Sequence, residues 1–447
     1  MTLDAFLNQL MQTALDQGIE AAEVYIASGD SFKAVSAQQE ITQYSVNTTR
    51  GLSLRGLYGG KMGYASTEVM DDQALSQLVK GVIESASLSE DEDKQFIYAG
   101  DKVYPIVDTY NAALDGVSPE EKLAFVLNME KAALSADAHV KQVQYNTILS
   151  GKGSVRIKNS YGLDVQYEGN YCGAYLQAVA RDGEKASTGM EISITHDFAM
   201  LDYKTLAESA VEKAVFGLNG KTIPSGTYRT IIENGAMADL LETFSGLFSA
   251  ENTQHNLSLL KGKVGETIAA ECVVLMDDPL LPFAEGSRPF DAEGVATKTK
   301  AVIENGVLKT LLHNLKTAQK DGVETTGNAS KASYSAPIRV SPTNFFFKPG
   351  TKDLAGLMTQ MGNGLVITEV NGLHSGANSI SGDFSLLAKG YTVKDGKKID
   401  AVEQITVAGN FYQLLQNIRS FGSDLKFPGG SVGSPSVDVG EMSIAGA

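Results

Sequence analysis

The residues able to do chemistry in this chain are few and scattered. Its histidines are His139, His196, His255, His313 and His374. No two of them stand three to five residues apart, so no helix offers the paired imidazoles of a metallopeptidase motif. His374 has the richest setting, the Gly-rich VNGLHSGANSISGD, with Glu369 and Asp383 near it in sequence. Asp277, Asp278, Asp291, Glu293, Glu369 and Asp383 could line a polar cleft that moves protons or holds a substrate. Each also suits a solvent-facing turn. Gly429-Gly430-Ser431-Val432-Gly433 spells G-x-S-x-G, but Pro428 and Pro435 flank it where a nucleophile elbow needs a strand and a helix. Gly220-Lys221-Thr222 ends like a phosphate-binding loop, yet Val215 stands where its first glycine is required. Cys172 and Cys272 are too few for a disulfide scaffold or a thiolate zinc site.

One stretch organises the rest. Thr230 to Asn252 reads TIIENGAMADLLETFSGLFSAEN. It predicts a strand, a turn at Asn234-Gly235, and an amphipathic helix with Leu240, Leu241, Phe244, Leu247 and Phe248 on one stripe. A helix leaving a strand at a glycine is a common place for a catalytic or metal-binding motif. The positions that could carry one hold Glu242, Thr243 and Leu247.

The elements around it follow from periodicity and caps. A helix is expected over about Leu3–Gln17, then a period of two in AAEVYIAS, EITQYSV and LSLRGLYGGKMGYAS, with a turn at Asn47–Gly51, then a helix over about Asp71–Ser85. Leu88 to Pro105, with its acidic SEDEDK, reads as an exposed crossing. Ser118-Pro119-Glu120-Glu121 opens a third helix, and a second meander from about Val140 leads to a fourth helix near Tyr203–Phe216. Asn159–Leu163 echoes Asn47–Leu52, a hint of duplication. GKTIPSG at 220–226 is a linker. Beyond it come a second helical segment near Asn256–Leu260, hairpins at Asn305-Gly306 and Lys394-Asp395-Gly396, and a closing strand near Val437–Ile444. The expected fold is α+β. It divides into an N-terminal subdomain (1–100), a central subdomain packed with it (101–220), both antiparallel meanders with flanking helices, and a strand-rich C-terminal domain (221–447).

Bulk properties narrow the function. The formal net charge is -16 and the pI near 4.8, which opposes direct contact with nucleic acid or anionic membranes. No apolar run approaches the roughly 20 residues of a membrane span. The N-terminal helix lacks the basic and apolar regions of a secretory signal, so the cytoplasm is the expected location.

Several motifs in fixed order carry a resemblance. VVLMDDP, PFDAEGVATKTKAVIENGVLKTLL, TTGNAS, MGNGLVITEVNG, SISGDFSLLAKGYTVKDGK, VEQITVAGNF and EMSIAG, with GIEAAEVYIASG and NTTRGLSLRGLYGGKMGYAST nearer the start, resemble the TldD/PmbA family, also called modulators of DNA gyrase, and its PmbA/TldE branch in particular. The resemblance implies a cytoplasmic role in proteolysis of peptides or unfolded proteins. In TldD-type subunits it implies a metal site, built from an H-E-x-x-x-H helix and a cysteine in a C-terminal Gly-rich loop. Carried onto this chain, those positions fall on Glu242, Thr243, Leu247 and, for the cysteine, near Pro428. None is a usable ligand set, so the resemblance implies no cofactor here and zinc only in a TldD-type partner.

The leading expectation is therefore the non-metal subunit of a TldD/TldE-type metallopeptidase, one that shapes the substrate cavity. A homodimer of the chain alone stays open as an assembly. Asp291, Glu293, Glu369, His374 and Asp383 are the cleft candidates. Two alternatives stand beside it: an independent hydrolase using those carboxylates with His374, and a binding protein acting without chemistry on a gyrase or toxin–antitoxin system.

Overall fold

In the computed structural model, which describes residues 2–91 and 93–447, one order of elements occurs twice. Helix α1 (Leu3–Asp16), strands β1 (Ala21–Ala37), β2 (Glu40–Tyr58) and β3 (Lys61–Thr67), and helix α2 (Asp72–Leu88) form the first set. Helix α3 (Pro119–Ala136), strands β4 (Val140–Asn159), β5 (Asp164–Asp182) and β6 (Lys185–Thr195), and helix α4 (Tyr203–Gly217) form the second. All six strands make one sheet, ordered β3-β2-β1-β4-β5-β6. Its centre is the antiparallel β1–β4 pair, which runs from Glu23↔Asn159 to Val35↔Thr147. Residues 1–100 and 101–220 thus share a continuous sheet. In the acidic crossing between them, Glu92 lies outside the described residues.

The period of two decides which face each side chain takes. Ala22, Val24 and Ile26 of β1 pack beneath α1 and α2, while Phe32 and Ala34 of the same face pack beneath α3 and α4. The opposite face carries Tyr25, Val155, Ile157, Val165 and Tyr167, which close on Phe290 of the C-terminal domain. Helices cover one side of the sheet and the C-terminal domain the other. The α3 start is a reciprocal cap between Ser118 and Glu121, with Pro119 in its first turn.

The duplication lies in the topology and not where the sequence suggested it. Asn159–Leu163 does turn, with Asn159 Oδ1 accepting from the Tyr161 and Leu163 amides. Asn47–Gly51, by contrast, lies inside β2 and pairs with Ala27–Ser31 of β1. The long partner strand satisfies its backbone, and the β1–β2 turn falls instead at Gln38-Gln39, at φ 57 and 62°.

The C-terminal domain contains β7 (Gly226–Ile232), α5 (Asn234–Phe244), α6 (Ala250–Gln254), β8 (Leu275–Asp277), β9 (Lys300–Glu304), β10 (Val307–Leu308), α7 (Leu315–Asp321), β11 (Ala329–Ser330), β12 (Arg339–Val340) and β13 (Phe345–Phe347). It continues with α8 (Leu354–Met361), β14 (Gly364–Asn371), α9 (Leu373–Gly376), β15 (Asp383–Lys394), β16 (Lys397–Asn410), α10 (Phe411–Asn417), β17 (Ser420–Phe421), β18 (Val432–Gly433) and β19 (Val437–Ala445). Strands β16-β15-β14-β7-β19 close into a ring, because β19 pairs with both β7 and β16. A second sheet is ordered β10-β9-β8-β13-β18. The main core includes apolar residues from both and the α5 stripe. Phe244 stacks on Phe411 at 4.7 Å, and Phe248 meets Phe345 edge-on. The architecture is α+β. Among the described residues no helix is long and apolar enough to cross a membrane.

Candidate functional site

The α5 region is shorter and more broken than its apolar spacing predicts. Asn234 and Gly235 are already helical, so the expected turn there does not form. The α-helix stops at Phe244, a 3₁₀ turn covers Ser245–Phe248, and α6 then takes Ala250–Gln254 in place of the segment expected at Asn256–Leu260. The 3₁₀ turn tightens the backbone while all five apolar residues stay in the core. Leu247 is 1% exposed and Phe248 fully buried.

The base of α5 is tied to the C-terminal Gly-rich loop. Asn234 Nδ2 donates to the Asp424 carbonyl, and the Asn234 amide donates to Ser436 Oγ. That loop also reaches the central subdomain. Lys426 Nζ donates to Glu191 of β6 at 2.6 Å, and Gly429, at φ 121°, lies so close to Ile192 that an added Cβ would sit 2.7 Å from its side chain. Burial raises the Glu191 carboxyl, but Lys213 and Lys426 outweigh it and hold the group down to about 2. Helix, loop and β6 therefore meet, with Pro428 in the loop.

The side chains there do not fit a metal. Glu242 is exposed; Thr243 Oγ1 donates to the Asp239 carbonyl at 2.8 Å; Leu247 points into the core; and Pro428 has no side-chain donor atom. One carboxylate cannot replace the water a divalent cation would give up. Among the described residues, no group of three or more His, Cys, Asp or Glu could hold an ion.

A cavity of about 500 Å³ opens beside this region, between β5, β6 and α4 on one side and β14–β16 with the start of α5 on the other. Burial, with the charges of Glu242 and Glu369, pushes the Asp239 carboxyl up to about 6. Glu233, between β7 and α5, is raised by burial and accepts from Tyr391 Oη at 3.2 Å. Lys398 stands over the rings of Phe216 and Tyr391, at 3.9 and 4.8 Å. Lys389 donates to Thr188 and lies 3.8 Å from Glu369. The lining offers both charges and an aromatic wall, which suits binding of a polar chain more than attack on one. β6 contributes Thr188, Gly189 and Met190, and it is the outer strand of its sheet.

The cleft candidates fall in separate places. Asp291 is buried and accepts from the amides of Glu293, Val295 and Ala329; burial and the Glu293 charge raise its carboxyl. Glu293 joins Arg55 and Glu23 in a buried chain across the interface with the sheet, with N–O distances of 3.2 and 2.7 Å, and lines a different cavity of about 530 Å³. Glu369 alone of the five lines the cavity beside α5. His374 is exposed on α9, and Asp383 is exposed and accepts from Asn410 and Ser381. Asp277 is spent on Lys300, Asn328 and Thr343, and Asp278 on Leu280 and Thr299. Glu233, Asp239, Lys389 and Tyr391 were missed by sequence reasoning. Only Asp239 had a signal, three residues before Glu242 on the same helix. Ser431 is followed by β18 and not by a helix, so no nucleophile elbow exists there.

Comparison with known proteins agrees with this architecture. Models of the PmbA/TldA metallopeptidase match domain 1 at residues 22–86, the central domain at 113–217 and the C-terminal domain at 225–446. The chain is 29% identical to an uncharacterized protein of Methanocaldococcus jannaschii, over 92% of this chain and 93% of that one. It is 25% identical to a metalloprotease PmbA homolog of Haemophilus influenzae, over 98% and 96%. A Thermotoga maritima crystal structure, of a protein named for modulation of a DNA gyrase, superposes with a TM-score of 0.92 at 34% identity, over 99% of this chain and 100% of that one. TldE from Thermococcus kodakarensis shares the fold, with a TM-score of 0.89 at 24% identity over 99% and 100%. This chain belongs to the PmbA/TldD family of metallopeptidase-like proteins.

Proposed function

We propose that the chain is the metal-free subunit of a cytoplasmic TldD/TldE-type metallopeptidase that acts on peptides or unfolded proteins. One observation carries the reading: Leu247, at the position where the resemblance puts a histidine ligand, is 1% exposed in the main core. The helix that would hold the metal has become a packing element. Zinc and the hydrolytic step then belong to a TldD-type partner. This chain contributes cavity wall. The free edge of β6 supports that role, since an extended peptide can add to such an edge by main-chain hydrogen bonds, and the cavity lining offers both charges to its side chains. The homologous names TldD and TldE support the choice of partner.

The test is to purify the chain alone and together with a subunit carrying H-E-x-x-x-H, then measure zinc content and cleavage of an unstructured peptide. Zinc and cleavage are expected only in the mixed complex. Stoichiometric zinc with activity in the lone chain would falsify the proposal.

A further inference from the structure

A smaller cavity, of about 280 Å³, lies between the β1–β4–β5 face of the sheet and the loop at Ala284–Arg288. Arg288 lines it; its Nε is sealed from solvent, and its guanidinium makes no ion pair among the described residues. Arg55, Arg156, Arg229 and Arg339 are each paired with a carboxylate, and Arg50, Arg181 and Arg419, which have no such partner among the described residues, are exposed. Arg288 is part-buried and has no such partner among the described residues. A guanidinium keeps its charge at any ordinary pH, and a desolvated donor without an acceptor costs stability. The sealed Nε is out of reach of a ligand, but the two terminal nitrogens are not, and a cation without a counter-ion at a cavity wall makes sense if an anion enters.

Apart from Glu285, the remaining wall is neutral and rich in donors. The hydroxyl of Tyr167 bonds to no protein group among the described residues, and its ring is fixed edge-on against Phe290 at 5.2 Å. Ser28 and Ser154 share one hydrogen bond of 2.8 Å, which leaves one hydroxyl proton free to donate. His196 is held below its ordinary value by burial and is neutral near pH 7. Glu285 stands in the same wall, close enough to Glu242 to feel its charge. One fixed cation beside an acidic residue disfavours a dianion such as phosphate. It suits a single carboxylate, whose two oxygens match the guanidinium fork.

We infer that this cavity binds a carboxylate of a peptide, with Arg288 as the fork and Tyr167 and the Ser28–Ser154 pair as neutral donors. The choice of a peptide as its carrier rests on the subunit reading above; the carboxylate chemistry does not. The carboxylate is either the C-terminus or an acidic side chain.

Three labelled peptides of one unstructured sequence test this: one with a free C-terminus, one amidated, and one amidated with a single internal Glu. They are titrated against the full chain by fluorescence anisotropy at low salt. At least one of the two carboxylate-bearing peptides is expected to bind about tenfold or more tightly than the plain amide, and which one does so identifies the source. Arg288→Gln is expected to abolish the difference and Arg288→Lys to keep part of it. Thermal unfolding checks that each variant is folded, and Arg288→Lys carries the comparison if the other is not. Equal affinities for all three peptides, no binding up to millimolar peptide, a difference that survives in folded Arg288→Gln, or one that survives undiminished in Arg288→Lys overturns the inference. None of these results bears on the subunit reading, which is measured by zinc content and cleavage in the mixed complex.

Discussion

Putting the family's ligands back is the strongest perturbation of the α5 region. Glu242→His, Thr243→Glu, Leu247→His and Pro428→Cys together restore the residue types of an H-E-x-x-x-H helix and its cysteine. Glu242 is exposed and Thr243 makes one bond back along the helix, so each of these two changes should cost less than about 1 kcal/mol. Leu247 is different, because it is 1% exposed within the main core. Replacing it forfeits about 2 kcal/mol of apolar burial. It also leaves an imidazole whose buried nitrogen lacks a partner, at about 1–3 kcal/mol. Leu247→His alone should therefore destabilise the C-terminal domain by about 3–5 kcal/mol, against less than about 1.5 kcal/mol for Leu247→Met. Urea unfolding measures the first part, and zinc titration of the fourfold variant measures the second. A fourfold variant that is as stable as the parent and holds one zinc per chain would refute the argument that packing has taken over this helix.

Three further outcomes follow from the geometry. Arg55→Met strands Glu23 and Glu293 without their counter-ion and should cost about 3–5 kcal/mol in thermal or urea unfolding; adding Glu23→Gln should recover part of that. Glu191 is held down to about 2 from an ordinary value of 4.5, so its contribution, about 3 kcal/mol, is complete above pH about 4.5 and vanishes as the pH falls through about 2; the stability gap between wild type and Glu191→Gln should close over that window. Asp239 has the opposite sign, because its carboxyl is raised to about 6: its stabilising share is lost as the pH rises through that value, and Asp239→Asn should stabilise the protein at pH 8 but not at pH 3.

Local chemistry in the sequence foretold local structure well. Asn305-Gly306 and Asp395-Gly396 form the tight hairpins their types demand, all four residues at positive φ. Alternation located most long strands, and Ser118-Pro119 marked the α3 start. What was hidden depends on partners distant in the chain. Nothing local says that β1 is long enough to hold Asn47–Gly51 extended. The break after Phe244 keeps the apolar spacing of a longer helix, so periodicity cannot reveal it. The cavity beside α5 joins residues from β6, α4 and β15, and His374 looked prominent only because its loop is rich in glycine. An arginine without a carboxylate, such as Arg288, reads the same in sequence as one with a partner.

The closed ring of the C-terminal domain also sets an order of assembly. β7 is the first of its strands to be made, and it ends flanked by β14 and β19. Its β19 partners, Val437 to Ile444, emerge about 200 residues later, which at roughly 5–20 residues per second takes about 10–40 s. Through that interval β7 exposes Ile231 and Ile232 and an unpaired edge, a surface prone to wrong pairing. Nascent chains held before β19 should therefore be the form of this protein that chaperones capture and proteases cut.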